Sequence, residues 1–299
     1  MTRHFLTGEE LTERELAALL ERAAELKLDR RASRALEGRS VALVFQRPST
    51  RTRVSFEVGV VELGGHPVVL RADEMQISRG ESPRDTAQVL SRYVDLVAVR
   101  TGDHAGLEEM AAHASVPVVN MLTSDHHPCQ ALADLLTLRE RFGPGERLRL
   151  AYVGDGNNVA HSLLLVGALA GVEVRVATPP ELPPDPGVVE RAARLGSVLV
   201  TADPAEAADG AHALYTDVWV SMGDEDGDGR RAQLTPYRLD EALLDRARPD
   251  AVALHCLPAH PGEEITAGVL YGPRSAVWDQ AENRLHAQKA LMEALVTEA

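Results

Sequence analysis

Six short stretches of this 299-residue chain carry residue types and spacings that could do chemistry. The first is Gln46-Arg47-Pro48-Ser49-Thr50-Arg51-Thr52-Arg53, between an apolar run and a helix expected over Val54–Leu63. Free N–H groups at a helix start, hydroxyl donors and guanidinium forks together bind anions, phosphate above all. Arg100 ends another apolar run, and His126-His127-Pro128-Cys129-Gln130 opens a further helix. His127 can donate to an oxygen of the same ligand, with Gln130 one turn farther in. A His-His-x-Cys cluster also invites a metal, but zinc needs three or four ligands and no second cluster supplies them. No metal is expected. Gly154-Asp-Gly-Asn-Asn158 approaches the dinucleotide fingerprint, yet its third glycine is missing and Ala177-Thr178-Pro179 stands where the acidic residue belongs. Asp217-Val-Trp-Val-Ser221-Met222-Gly223 and His255-Cys256-Leu257-Pro258 bring a carboxylate, a hydroxyl and a thiol. These suit an amino-acid ligand with a cationic amine. Taken singly, Asp217 also fits a helix cap and Cys256 a buried core thiol.

Each of these stretches follows a short apolar run, and ligands of open parallel sheets sit at the carboxyl ends of the strands. Strands are expected at Ser40–Phe45, Pro67–Leu70, Asp95–Arg100, Val116–Met121, Arg147–Gly154, Val172–Ala177, Ser197–Thr201, Ala213–Trp219 and Ala251–Leu257. Apolar on both faces, they call for helices on both sides, hence parallel sheets with right-handed crossovers. Helix starts are readable at Thr12, where Glu15 completes a capping box, and at Ser82-Pro83. A long helix over Pro128–Arg141 and the break Phe142–Glu146 mark a domain boundary, and a last helix over Ala281–Val296 returns to the first domain. Gly223–Gly229 lacks the ligand spacing of a calcium loop and reads as a mobile acidic loop. The net charge of −14 argues against a duplex nucleic-acid binder. Lys27 and Lys289 are the only lysines, each on an ordinary amphipathic helix, so Schiff-base and P-loop chemistry are nearly excluded. Two cysteines and no long apolar run point to a soluble cytoplasmic α/β protein, off the membrane.

From about Val41 to Arg284 the chain resembles the aspartate/ornithine carbamoyltransferase family. The resemblance rests on Ser49-Thr-Arg-Thr-Arg53, His127-Pro-Cys-Gln130, Gly154-Asp-Gly-Asn-Asn158, Asp217-Val-Trp-Val-Ser-Met-Gly223, His255-Cys-Leu-Pro258 and Ala281-Glu-Asn-Arg284. The first two are common to the family; Ser-Met-Gly and His-Cys-Leu-Pro separate its ornithine branch from its aspartate branch. The resemblance implies two doubly wound domains, each a parallel sheet flanked by helices, with the active site in the cleft between them. Residues 1–134 would bind carbamoyl phosphate and 135–280 L-ornithine, with 281–299 as the returning helix. The implied reaction gives L-citrulline and phosphate, without a cofactor. Ser49, Thr50, Arg51 and Thr52 would hold the phosphate, and Thr52, Arg100, His127, Gln130 and Arg284 the carbamoyl group. Asn158, Asp217, Ser221 and Met222 would hold the α-end of ornithine, with Cys256 and Leu257 near its side-chain amine. Arg51, Arg100, His127 and Cys256 are the implied catalytic residues. A homotrimer, or a multiple of trimers, is implied, with Gln76 completing the neighbour's phosphate site. Arg47 stands where many members carry lysine, which keeps the charge and changes its geometry. Two other readings remain: transfer to aspartate, putrescine or an acylated ornithine, and a non-enzymatic anion- or nucleotide-binding module.

Overall fold

Every apolar run becomes a strand in the computed structural model, which describes residues 2–76, 80–220 and 227–297. The chain divides into two compact units, Met1–Ala133 with Asn283–Ala299, and Asp134–Glu282.

In the first unit β1 (Ser40–Phe45), β2 (His66–Arg71), β3 (Leu96–Arg100) and β4 (Val118–Leu122) form a parallel sheet of order β2-β1-β3-β4. The inner strands are almost wholly buried, and the edge strand β2 is half-buried. The other edge is covered by the N-terminal segment: Phe5 N donates to Val118 O at 2.9 Å and Asn120 N to Phe5 O at 2.8 Å. That pairing removes a row of open donors and acceptors. Helix α1 (Glu13–Leu28) has the expected Thr12–Glu15 capping box. Helix α2 (Thr50–Glu62) begins four residues before the expected Val54, because extended Ser49 takes the cap position and its Oγ accepts from Thr52 N at 3.3 Å. The hydroxyl run therefore lies in the first helical turn, not in a preceding loop. Helices α3 (Pro83–Leu90), capped by Ser82, and α4 (His104–His113) follow. The chain passes into the second unit within α5 (Pro128–Phe142).

The second unit holds β5 (Arg149–Val153), β6 (Glu173–Ala177), β7 (Val198–Thr201), β8 (Ala213–Thr216) and β9 (Val252–His255), all parallel, in the order β7-β6-β5-β8-β9. Helix α6 (Asn158–Ser162) runs on into a π-helical turn, Leu163–Gly167. Then come α7 (Pro186–Leu195), α8 (Pro204–Ala208), α9 (Gly227–Leu234), α10 (Glu241–Leu244), α11 (Ala267–Leu270) and α12 (Val277–Thr297). Of the expected acidic loop, Gly223–Asp226 lies outside the described residues. Gly227–Gly229 is the first turn of α9, where Asp228 faces Arg231 at 3.6 Å, an i,i+3 pair at a helix start that favours an acid. Helix α12 starts four residues before the expected Ala281, and within it the chain returns to the first unit. Lys289, expected on an ordinary amphipathic face, is fully buried, with Nζ 2.9 Å from Glu62 Oε2 and also donating to the Arg30 carbonyl. Among the described residues no helix is long and apolar enough to cross a membrane.

Candidate active site

In the first sheet the connection order reverses between β1 and β3, in the second between β5 and β8. Open sheets bind ligands in the crevice at the carboxyl ends of such strands. The strand-end residues of each unit cluster there.

In the first unit the capped start of α2 follows β1, Arg100 closes β3, and His127 stands between β4 and α5. Thr52, 1% exposed, is the meeting point: its Oγ1 accepts from Arg284 Nη2 at 2.7 Å and from Arg100 Nη1 at 3.5 Å. Arg284, from α12, is itself buried, as are His127 and Gln130. Burial, then the Arg284 charge, then that of Arg100, holds the His127 pKa well below 6.5. At neutral pH its ring is uncharged and offers one N–H donor without adding a third cation. Ser49 and Arg51 are half-buried, and Thr50 is exposed on the first turn. Arg47 is exposed and lies over Gly102, where an added Cβ would come within 2.4 Å of its Nη2. Cys129 is no nucleophile, because burial pushes its thiol up to about 12 while Sγ donates to Asn120 O at 3.2 Å. Gln76 is exposed on the loop after β2, and its carbonyl accepts from Glu81 N at 3.2 Å. A separate cavity of about 370 Å³ is walled by Gln46, Glu81, Thr101 and Asp103, and its two carboxylates make it unfit for phosphate.

The second unit builds a different kind of site. Strand β8 stops at Thr216 rather than at the expected Trp219, so Asp217 sits just beyond its carboxyl end, 7% exposed. Strand β9 likewise stops at His255 rather than Leu257. Leu257 has φ +61°, a left-handed conformation that a ladder cannot hold and that concentrates at functional sites. Asp217 receives two donors, Cys256 Sγ to Oδ1 at 2.8 Å and Asn157 Nδ2 to Oδ2 at 2.9 Å. Cys256 is thus a thiol that fixes a carboxylate. Asn157 also caps α6 and accepts from the Tyr152 hydroxyl at 3.2 Å. Asn158, named from the sequence, is half-buried as the first residue of α6. Asp155 pairs with Arg230, whose Nε donates to Trp219 O at 3.0 Å, bracing the segment after Asp217. Ser221 and Met222 lie outside the described residues. Gly156 explains the incomplete dinucleotide fingerprint: a Cβ there would stand 2.2 Å from Pro184 N and 2.3 Å from the Pro183 carbonyl carbon. The glycine serves a close approach of the chain to itself, not to a pyrophosphate.

Sequence reasoning named Asn158, Asp217 and Cys256 but missed Asn157, Arg230 and the brace behind Cys256. That brace is His255, fully buried, with Nδ1 accepting from Leu257 N at 2.8 Å and Nε2 3.1 Å from Glu264 Oε1. Asn157 had a readable signal, an asparagine just before a helix. Arg230 and Glu264 had none, since only the folded chain brings them near. His126, His127 and Cys129 are not among the groups of potential metal ligands that cluster in the described residues; those are Asp217–His255–Cys256 and His260–Glu263–Glu264.

Comparison with known proteins matches both halves. Residues 3–140 fit the family model described as the aspartate/ornithine carbamoyltransferase carbamoyl-P binding domain, and residues 146–295 its Asp/Orn binding domain. The ornithine carbamoyltransferase of Parafrankia sp. (strain EAN1pec) is 57% identical over 99% of this chain and 96% of its own length. That of Methanoculleus marisnigri is 53% identical over 99% and 97%. The solved ornithine carbamoyltransferase from Pyrococcus furiosus superposes with a TM-score of 0.93 at 47% identity, covering 97% of this chain and 96% of that one. The Thermus thermophilus enzyme gives 0.91 at 48% identity, covering 99% of each. Matched along both units in sequence and in fold, this chain belongs to the aspartate/ornithine carbamoyltransferase family.

Proposed function

We propose that this chain transfers the carbamoyl group of carbamoyl phosphate to the side-chain amine of L-ornithine, giving L-citrulline and phosphate. The observation that carries this reading is Thr52 Oγ1, shared by Arg284 and Arg100 at a capped helix start beside a neutral His127. In this reading the first unit takes carbamoyl phosphate. Ser49, Thr50, Arg51 and Thr52 hold the phosphate through the free N–H groups of the first turn of α2, the hydroxyls and the guanidinium. Arg100, His127, Gln130 and Arg284 address the carbamoyl oxygen. The amine nitrogen attacks the carbamoyl carbon and charge gathers on that oxygen; as the carbonyl re-forms, the carbon–oxygen bond to phosphate breaks and the departing phosphate takes the amine's proton. Donors already aimed at that oxygen are worth about 3–4 kcal/mol each.

The second unit takes ornithine. Asn158, Asp217, Ser221 and Met222 receive its α-end, and Cys256 and Leu257 the side chain. The Cys256–Asp217 hydrogen bond ties the two ends of that set through one carboxylate. The ornithine amine must attack uncharged; with a pKa of about 10.4 it is about 0.4% neutral at pH ~8, a penalty of about 3.3 kcal/mol. Activity at low ornithine therefore rises steadily between pH 6 and 9, and a flat profile counts against the mechanism. The reading includes a cytoplasmic homotrimer or multiple of trimers, with Gln76 lent to a neighbouring subunit. The two free cysteines support a reducing compartment.

One assay tests the whole. The chain is incubated with carbamoyl phosphate and, in turn, ornithine, N-acetylornithine, putrescine and aspartate, while ureido product and phosphate are followed. Turnover with ornithine is expected to exceed the others. Preference for another amine, or phosphate-dependent stabilisation without turnover, would overturn the assignment.

A further inference from the structure

Beyond the strand ends, the second unit gathers a further cluster, which shares Glu264 with the brace behind Cys256. After Pro258 the chain turns through His260, Glu263 and Glu264, and one ligand atom from each lies within 4.8 Å of the others. Glu264 is fully buried and its two oxygens have different surroundings. Oε1 accepts from His255 Nε2 at 3.1 Å and from the His260 backbone N–H at 2.5 Å. Oε2 is buried without a hydrogen-bond donor and faces His260 Nδ1 at 3.6 Å. Burial pushes the Glu264 carboxyl up, but the bonds from His255 and the His260 N–H outweigh it and keep the group ionised. Glu263, partly exposed, accepts from Arg231 Nε at 3.1 Å through Oε2, and one of its carboxylate oxygens lies within 4.8 Å of the ligand atoms of His260 and Glu264.

We propose that His260 Nδ1, Glu263 and Glu264 Oε2 bind one divalent ion of the zinc class. Tetrahedral bonds of about 2.0–2.1 Å set two ligand atoms about 3.4 Å apart, close to the spacing already present between Nδ1 and Oε2. One imidazole with two carboxylates suits zinc; magnesium and calcium take oxygen shells. Three protein ligands leave a fourth position for water. The neighbouring group Asp217–His255–Cys256 is a poorer site, because both His255 ring nitrogens and the Cys256 Sγ are already engaged. The ion would be linked to the turn that carries Cys256: Glu264 holds the ion on one oxygen and His255 on the other, and His255 Nδ1 holds Leu257 N. An outer-shell chain of this kind orients what lies at its end.

The test is zinc titration of the full-length chain by calorimetry, with X-ray absorption at the zinc edge on the loaded protein. The expected result is one zinc ion per chain at micromolar concentration, a nitrogen–oxygen shell without sulfur, and no competition from magnesium. His260→Ala and Glu263→Gln should each weaken uptake at least about tenfold, a loss that removal of one ligand readily accounts for. Metal-free His260→Ala should keep wild-type carbamoyl transfer, which controls for folding. Cys256→Ala should bind zinc as the parent does. No uptake up to about 1 mM zinc, a sulfur shell, undiminished binding in His260→Ala, or loss in Cys256→Ala would each overturn the site.

Discussion

Replacing Thr52 with Val removes one hydroxyl and keeps the side-chain shape, so it isolates the atom on which two guanidiniums converge. The Arg284 bond at 2.7 Å is of full strength, whereas the Arg100 contact at 3.5 Å lies at the limit of a hydrogen bond. The loss is therefore dominated by Arg284. A hydrogen bond to a charged donor contributes about 1.5–3 kcal/mol, and at 1% exposure water does not replace the acceptor, so Thr52→Val should cost about 2 kcal/mol of stability. For domains of this size that lowers Tm by about 4–8 °C. In the proposed mechanism the same hydroxyl, having accepted from Arg284, turns its own proton to the phosphate or carbamoyl oxygen. Losing that charge-assisted bond should raise the Kd for inorganic phosphate about 10- to 150-fold. Binding of ornithine should change far less, because Asp217, Asn157 and Cys256 form a hydrogen-bonded set of their own. Scanning calorimetry and titration calorimetry with phosphate give both numbers. A Tm within 1 °C of the parent, or a phosphate Kd changed by less than about threefold, would refute the convergence on Thr52 as a functional contact.

Cys256→Ser shortens the donor to Asp217 Oδ1 and should raise the KM for ornithine more than that for carbamoyl phosphate, in steady-state kinetics with each substrate varied; equal changes would remove Cys256 from the ornithine side. The depressed pKa of His127 makes stability pH-dependent with a definite sign. Below 6.5 the unfolded chain takes up a proton at this residue that the folded chain refuses, so stability is full above 6.5 and falls as pH drops toward the folded value. The slope is at most about 1.4 kcal/mol per pH unit per group, and half-buried His4, also lowered by burial, adds to it. Lowered carboxylates such as Glu264 act only below 4.5, so urea unfolding between pH 7 and 5 isolates the histidines. His127→Gln should flatten that dependence, and an unchanged slope would contradict the buried neutral ring.

Much of this protein is decided within a few residues of chain. Strands of Val and Leu apolar on both faces, Thr12 with Glu15, and Ser49 before a helix are local patterns, because caps and strand periodicity depend on neighbours one or two turns away. The strand-end motifs were legible for the same reason, and with them Arg100, His127, Asp217 and Cys256. The folded chain decided which of these side chains touch. Arg284 reaches Thr52 across 232 residues of sequence. Asn157, which the site residues read from the sequence did not include, holds the Asp217 carboxylate. Lys289, read as part of an ordinary amphipathic helix, is a fully buried partner of Glu62. A lysine on a helix face is exposed or buried according to what packs against that face, and Glu62 lies on another helix. Local sequence supplies the donors and the elements that present them. Their convergence is a property of how parallel strands order themselves in each sheet, and no spacing along the chain encodes it.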